Sequence, residues 1–447
     1  MSHYKPYPAY KDSGVEWLGR VPEHWQIKRL KHIANVQTGV AKGKDNADKE
    51  TIEVPYLRVA NVQDGYLSLD DVATIEIPRE DLPRYSLQPG DVLMNEGGDF
   101  DKLGRGSVWQ GEIEPCIHQN HVFAVRPTAV PSAWLNAFTG SLAAQFYFMG
   151  RAKQSTNLAS ISSSNIMELP VAMPPAAEMD LLLDHIDRET ARIDALVAKK
   201  TRFIELLREK RQALITHAVT KGLDPNVKMK DSGVEWLGEV PEHWEIKRLQ
   251  FLCASIKAGP FGSALTKDMY VPDGYRVYGQ EQVIPGDFSI GDYYITPEYF
   301  SELAQYAVQP GDVLVSCVGT FGKIAVVPED VEPGIINPRL IRIRVNQLVS
   351  PVYLTVLMQS SVVFEQFSLW SRGGTMDVIN IGTLSGIVLS VPPASEQKAI
   401  IRYVEHEAGR IDALVNKTER SIELLKERRS ALITAAVTGQ IDLREAV

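Results

Sequence analysis

Two stretches of the chain carry a helical period. From Glu178 to about Val219 there is neither proline nor glycine. Apolar residues fall at Ile186, Ile193, Leu207 and Leu214, with Leu196, Val197, Phe203 and Ile204 between them, and Lys200 interrupts the series. In the second stretch Val404, Ile411, Leu425 and Leu432 keep the same spacing, with Thr418 at the interruption. Seven-residue spacing with intermediate apolar positions marks a coiled-coil seam. About 40 residues at ~1.5 Å each make a rod of about 60 Å. Acidic residues crowd the first half of the first helix and basic residues the second, which complements the helix dipole. A lone amphipathic helix of this kind is marginal in water, so each must bury its stripe, and the obvious partner is the other helix. If a two-fold axis relates them, they run antiparallel with one globular domain near each end.

Before each helix the pattern changes to short β-like runs bounded by turns. DVLMNEGG (91–98), SVWQG (107–111) and HVFAVRP (121–127) precede the first; DVLVSCVG (312–319), KIAVVPED (323–330) and RLIRIRV (339–345) precede the second. Helical stretches at 133–150 and 352–367 intervene. The pattern predicts a mixed α/β (α+β) fold: two globular domains in pseudo-two-fold tandem repeat, joined by two long antiparallel coiled-coil helices. The expected divisions are a first domain over 1–175, a helix over 176–222, a second domain over 223–393 and a C-terminal helix and tail over 394–447.

The halves are copies of one another. KDSGVEWLGRVPEHWQIKRL (11–30) returns as KDSGVEWLGEVPEHWEIKRL (230–249), with 18 of 20 positions identical. LQPGDVL (87–93) returns as VQPGDVL (308–314), and PPAAE…RIDALV…IELLREKRQALITHAVT (174–220) as PPASE…RIDALV…IELLKERRSALITAAVT (392–438). Between these matches the copies diverge: VPYLRVANVQDG (54–65) has only a loose counterpart in YRVYGQEQVIPG (275–286). Like frames around unlike fillings suit a protein that reads two different targets through one framework. Trp17, Trp25, Trp236 and Trp244 recur in the frame, and tryptophan there serves core packing or partner docking. The competing reading of the same layout is a non-enzymatic coiled-coil scaffold with two protein-binding heads.

Composition narrows the class. The chain has 447 residues, too many for one ordinary core, and no apolar run of the roughly 20 residues a membrane helix needs. Cys116, Cys253 and Cys317 form no CxxC pair, which suits a reducing cytoplasm and speaks against zinc. No G-x-G-x-x-G follows a strand and no phosphate-binding GxxxxGK[ST] occurs, so no nucleotide cofactor is expected. His24 and His243 repeat in VPEHW without a second ligand at metal spacing. His118-Gln119-Asn120-His121 could ligate a metal, but its counterpart Ile336-Asn337-Pro338-Arg339 could not, so no shared catalytic metal is expected. The net charge of −9 argues against a nonspecific nucleic-acid binder.

Two repeats, each a variable domain followed by a RIDALV…IELL…ALIT…AVT helix, with WLG-x-VPEHW-x-IKRL, LxPGDVL and the PPxxE helix entry, resemble the specificity subunit of Type I restriction-modification enzymes. The resemblance covers essentially the whole chain. It implies that each variable domain reads one half of a split double-stranded DNA target and that the helices set the unread spacer. It also implies docking of two methyltransferase subunits and two motor-nuclease (restriction) subunits. The chain itself is then non-catalytic, and S-adenosylmethionine, ATP and Mg²⁺ belong to those partners. Residues 31–173 hold 12 Lys and Arg against 17 Asp and Glu, and 250–391 hold 8 against 13, about −5 each. Phosphate neutralisation by the chain alone is therefore weak, and partners supply backbone contacts while this chain supplies base readout.

Arg and Lys suit guanine, and Asn and Gln suit adenine. In divergent, turn-bounded places the candidates are Arg58, Asn61, Arg105, Gln119, Asn120 and His121 in the first domain. In the second they are Gln280, Gln282, Lys323, Asn337, Arg339, Arg342 and Arg372. Gly104-Arg105 and Gly322-Lys323 are equivalent, a flexible glycine beside a cation. Arg342 and Arg344 share one strand face and could equally form ordinary ion pairs. Trp17, Trp25, Trp236 and Trp244 are the candidate partner anchors.

Overall fold

The internal repeat returns as two units of one topology. The structure, a computed structural model, describes residues 4–43, 49–98, 100, 103–154, 159–317, 323–371 (backbone only over 368–371) and 379–444. Unit 1 comprises Met1–Lys200 with Arg420–Val447, and unit 2 comprises Thr201–Glu419.

In unit 1 the strands β1 (Ala34–Thr38), β2 (Val92–Asn95), β3 (Gly106–Val108) and β4 (Val122–Pro127) form an antiparallel sheet of order β1-β4-β2-β3. Val125 stands opposite Val36 on one side and Val92 on the other. A second sheet pairs Thr51–Leu57 with Ala73–Pro78 antiparallel and with Ile117–His118 parallel. Unit 2 repeats both. Strands β5 (Cys253–Ala258), β6 (Val313–Ser316), β7 (Ile324–Val326) and β8 (Leu340–Val345) take the order β5-β8-β6-β7. Tyr275–Tyr278 pairs Tyr294–Ile295 antiparallel and Gly334–Ile336 parallel. The frame segment contains short strands: Gln26–Arg29 pairs with Pro170–Met173, and Glu245–Arg248 with Val388–Val391. Each expected helical stretch is two helices. Ser132–Thr139 and Leu142–Met149 are parted at Gly140-Ser141, because the Ser141 hydroxyl caps the second by accepting from the Ala144 N–H. Pro351–Met358 and Ser361–Ser371 are parted at Gln359-Ser360.

Helix α1 spans Ala176–Lys221 and α2 Ala394–Val437. Proline fits just before each start, where it needs no N–H: the carbonyl of Pro175 accepts from Glu178 and Met179, and that of Pro393 from Glu396 and Gln397. Gly222 and Gly439 end them in the left-handed region, at φ +77° and +71°. A Cβ on Gly439 would sit 2.2 Å from Cδ of Pro22, so only glycine fits there. The division between units falls inside both helices, so each unit holds part of each. Within unit 2, Arg208 meets Glu419 at 3.0 Å and Arg211 meets Asp412 at 2.9 Å; one number rises as the other falls, so the segments run antiparallel. Within unit 1, Asp194 meets Arg429 at 3.0 Å.

The seam positions Ile186 and Ile193 in unit 1, and Ile204, Leu207, Val404 and Ile411 in unit 2, are buried. Leu196 and Phe203, expected in the stripe, are exposed. The upper parts of the helices merge into the cores: Leu182, Ile186 and Val437 pack with Trp25, Trp134 and Phe148, and Ile215, Val219 and Val404 with Trp244, Tyr353 and Ile343. No helix among the described residues is long and apolar enough to cross a membrane.

Candidate nucleic-acid interface

The frame motifs lock onto one another. In unit 1 the carboxylate of Glu178, from PPAAE at the start of α1, accepts from Nε2 of His24 (2.6 Å), Nε1 of Trp25 (3.0 Å) and the Tyr7 hydroxyl (2.7 Å). Burial and that carboxylate hold the Tyr7 phenol well above its usual range. In unit 2 Glu396, from PPASE, accepts from Nε2 of His243 (2.6 Å) and Nε1 of Trp244 (3.0 Å). The reading of Trp25 and Trp244 as partner anchors is therefore corrected: both are fully buried and fasten a helix to its domain. Trp17 and Trp236 are half-buried at the edges of their cores.

The QPGD motifs do the same for the central sheet. Asp91, directly before β2, is fully buried, takes the Gln88 N–H at 2.8 Å and receives Arg126 through two bonds of 2.7 Å. Asp312 takes the Gln309 N–H and two bonds from Arg344, all at 2.8 Å, with Nε of Arg342 3.9 Å away. Bidentate guanidinium–carboxylate geometry is the strong form of this contact, and it raises the pKa of both Arg126 and Arg344.

These anchors deliver the ends of β2 and β6 to the place where the divergent loops meet. The Asn95 N–H donates to the Arg105 carbonyl (2.9 Å), and the Glu96 N–H to that of His121 (2.9 Å). In unit 2 the Ser316 N–H donates to the Lys323 carbonyl (2.9 Å), and the Cys317 N–H to that of Arg339 (3.0 Å). A third loop joins each hub through a side chain: Nδ2 of Asn95 donates to the Val62 carbonyl (2.8 Å), and Nε2 of Gln280 to Oγ of Ser316 (2.6 Å). One backbone scaffold thus presents Arg105, Gln119, Asn120 and His121 in unit 1, and Gln280, Lys323, Asn337 and Arg339 in unit 2.

The heads of these residues differ in what they have left to offer. Lys323 and Arg339 are exposed and Arg105 half-buried, and none has a side-chain partner among the described residues. Gln119 and Asn120 are half-buried; Nδ2 of Asn120 lies 3.5 Å from Nε2 of His121, whose Nδ1 bonds Glu96 at 2.7 Å. Oδ1 of Asn337 accepts its own turn's Arg339 N–H at 2.9 Å. Arg58 spends its head on Asp71 at 2.9 Å. Three candidates are corrected to structural roles. Asn61 and Gln282 occupy equivalent caps: Oδ1 of Asn61 accepts the Arg58 N–H (2.8 Å) and Oε1 of Gln282 accepts the Gly279 N–H (2.7 Å), while the amide nitrogen of Asn61 donates to the Ser68 and Asp71 carbonyls and that of Gln282 to the Ile290 carbonyl and the Glu281 carboxylate. Arg342 is buried and donates to the Ala307 carbonyl; desolvation lowers its pKa against the pull of Asp312. Arg372 and Gly322 lie outside the described residues.

Sequence reasoning passed over Glu96, the hub pair Asn95 and Ser316, and the anchors Asp91, Asp312, Glu178 and Glu396. The anchors had a signal, since all four are identical acids inside repeated motifs. His118 was read only as a metal-ligand candidate. It is buried, its Nδ1–H donates to the Val122 carbonyl at 2.7 Å, and this closes the turn that carries Gln119–His121. Among the described residues no three His, Cys, Asp or Glu side chains gather to hold a metal ion.

A domain built twice, with a shared frame and a polar rim that differs between copies, is the construction of a two-part reader. The Type I restriction modification DNA specificity domain matches residues 241–424. Over nearly full length the chain is similar to a Methanocaldococcus jannaschii protein named for the specificity subunit of the type I restriction enzyme MjaX, at 22% identity over 96% of each chain. It is also similar to the type I restriction enzyme EcoBI specificity subunit of Escherichia coli, at 21% identity over 96% of this chain and 89% of that one. The fold matches a chain solved in a study of complex assembly and conformational transition of the type I R-M system. That match covers 94% of this chain and 99% of the other, with TM-score 0.69 and 15% identity. Residues 241–424 thus carry this specificity domain, and over nearly its whole length the chain is similar to type I restriction enzyme specificity subunits.

Proposed function

We propose that the chain is the non-catalytic DNA-reading subunit of a Type I restriction-modification complex, with each unit reading one half of a split target. The observation that carries this is the pair of rims at Asn95-Glu96 and Ser316-Cys317: the same backbone hydrogen bonds hold different polar side chains in each unit. Base edges are distinguished by such donors and acceptors, whereas the shared frame fixes only their position. The DNA-facing residues are Arg105, Gln119, Asn120, His121, Gln280, Lys323, Asn337 and Arg339, with Arg58 at the margin and Arg372 retained from the sequence.

Two methyltransferase subunits dock on the frame and the helices, and two motor-nuclease subunits join for restriction; these partners carry S-adenosylmethionine, ATP and Mg²⁺. Glu16 with Glu235, and Glu23 with Glu242, are identical between copies although all four are exposed. Packing does not demand that identity, and one kind of partner met twice would. Phosphate contacts come mainly from those partners, as the −5 charge of each variable region requires.

The test is an exchange of residues 250–391 for the same region of a relative, with genome-wide methylation mapping in cells that supply the methyltransferase. One half of the methylated sequence should change and the other stay. Changes in both halves, or methylation that does not depend on this chain, would overturn the proposal.

A further inference from the structure

The two rims share their backbone and oppose one another in charge. Glu96 leaves β2 directly after the hub residue Asn95, and its backbone is held on both sides: its N–H donates to the His121 carbonyl, and its carbonyl accepts the Ile161 N–H, each at 2.9 Å. Its side chain is held as well, because Oε2 accepts from Nδ1 of His121 at 2.7 Å. The carboxylate is 26% exposed and the imidazole 55%. Oε1 has no partner among the described residues. In unit 2 the equivalent residue is the buried Cys317, and the residue across from it is the cation Arg339.

A carboxylate turned to DNA is repelled by phosphates, so it earns its place only by accepting a hydrogen bond. In the major groove the donors are few: the N4 amino group of cytosine and the N6 amino group of adenine, while guanine and thymine present acceptors there. A fixed acceptor is therefore a filter for amino-bearing bases.

We propose that Glu96, oriented by His121, is a specificity-determining residue that reads the exocyclic amino group of a cytosine or adenine in the half-site of unit 1, and that unit 2 has no such reader at this place. Glu96 is the group that touches the base; His121 is the positioning residue that keeps one carboxylate oxygen turned and leaves the other free. The inference rests on the DNA-reading role proposed above. It narrows one position of one half-site to two bases of the four.

The experiment uses the full chain with its methyltransferase partners, in cells and as purified complex. Methylation is mapped for the unaltered chain, Glu96→Met and Glu96→Asp, and binding is measured by competition among duplexes varied at each position of the first half-site. Glu96→Met keeps bulk and removes both oxygens. It should erase the preference for an amino-bearing base at one position, by roughly tenfold to hundredfold, and leave the second half-site untouched. Glu96→Asp should keep the same preferred base with weaker binding. A Glu96→Met complex with the original preference at every position would overturn the inference, as would equal weakening on all duplexes, which would make the Glu96–His121 pair a structural one. An unaltered chain that yields no two-part methylated site would sink the reading beneath it as well.

Discussion

Glu178 and Glu396 occupy the same place in the repeat and hold the same His-Trp pair, yet their surroundings differ. The Glu178 side chain is 8% exposed and has a third donor in Tyr7; the Glu396 side chain is 38% exposed and has none among the described residues. The difference comes from what covers the frame. In unit 1 Tyr7 lies over the clamp, Arg444 stacks on the Tyr7 ring, and the Asp442 N–H donates to the Lys5 carbonyl in a β-bridge. At the matching distance before the second frame stands the exposed Asn226. Identical motifs thus fix the geometry of a clamp, while the segments laid over it set how much the clamp contributes.

Removing the carboxylate is the strongest way to probe this. Glu178→Ala leaves buried donors on Tyr7 and Trp25 without an acceptor and should destabilise unit 1 by about 3–5 kcal/mol. Glu396→Ala, where water can replace the carboxylate, should destabilise unit 2 by about 1 kcal/mol. Hydrogen exchange of Pro170–Met173 and Val388–Val391 under mild denaturant reads each unit separately. Equal losses in the two would show that the covering segments do not matter.

Acid offers a second, smaller contrast. Burial holds the pKa of His118 below its usual value, against a weaker opposing pull from the Val122 carbonyl and from Asp91. Below about pH 6.5 the unfolded chain takes up a proton that folded unit 1 refuses. Stability should therefore be complete above that pH and fall as pH drops, by at most about 1.4 kcal/mol for each pH step of one, until the folded group also protonates. Unit 2 has Ile336 at this place and should stay flat over the same window. Asp442, held low by its bond to Arg444, loses its contribution only at more acid pH. Exchange protection of β4 against β8 between about pH 7.5 and 5.5, corrected for intrinsic rates, checks this, and His118→Leu should flatten unit 1. A parallel decline in both strands would assign the effect elsewhere.

These contrasts also show what could be read from the chain. The helices, the duplicated frame and the pairing of β-rich regions with helical ends were legible, because periodicity and internal identity report burial directly. Which polar residues face outward was not. Asn61 and Gln282 have the composition of adenine readers, but the turn they close uses both ends of each amide, and a cap is visible only once the backbone folds. Arg342 and Arg344 lie on one strand face, and only the position of Asp312 decides that Arg344 takes the bidentate bond. Glu96 stands in the β-like run DVLMNEGG with nothing around it in the chain to single it out, and its meaning comes from His121, 25 residues away along the chain.

The smallest contrast concerns Arg105 and Lys323, which stand at one place in the repeat on carbonyls bonded by equivalent N–H groups. Neither head has a partner among the described residues, so both are available to DNA. If each only neutralises a phosphate, Arg105→Ala and Lys323→Ala should weaken binding alike on all sequences. Each should also reduce the slope of log affinity against log salt by about 0.9. Arginine can do more than lysine: its planar fork fits O6 and N7 of guanine, whereas an ammonium is a point charge. Arg105→Lys therefore separates the two roles. We expect it to keep both the salt slope and every base preference of the first half-site, as a phosphate contact would, and Lys323→Arg to do the same in the second. Competition among duplexes varied at single positions decides it. A lost guanine preference at one position with an unchanged slope would make Arg105 a base reader and break the equivalence of the two sites.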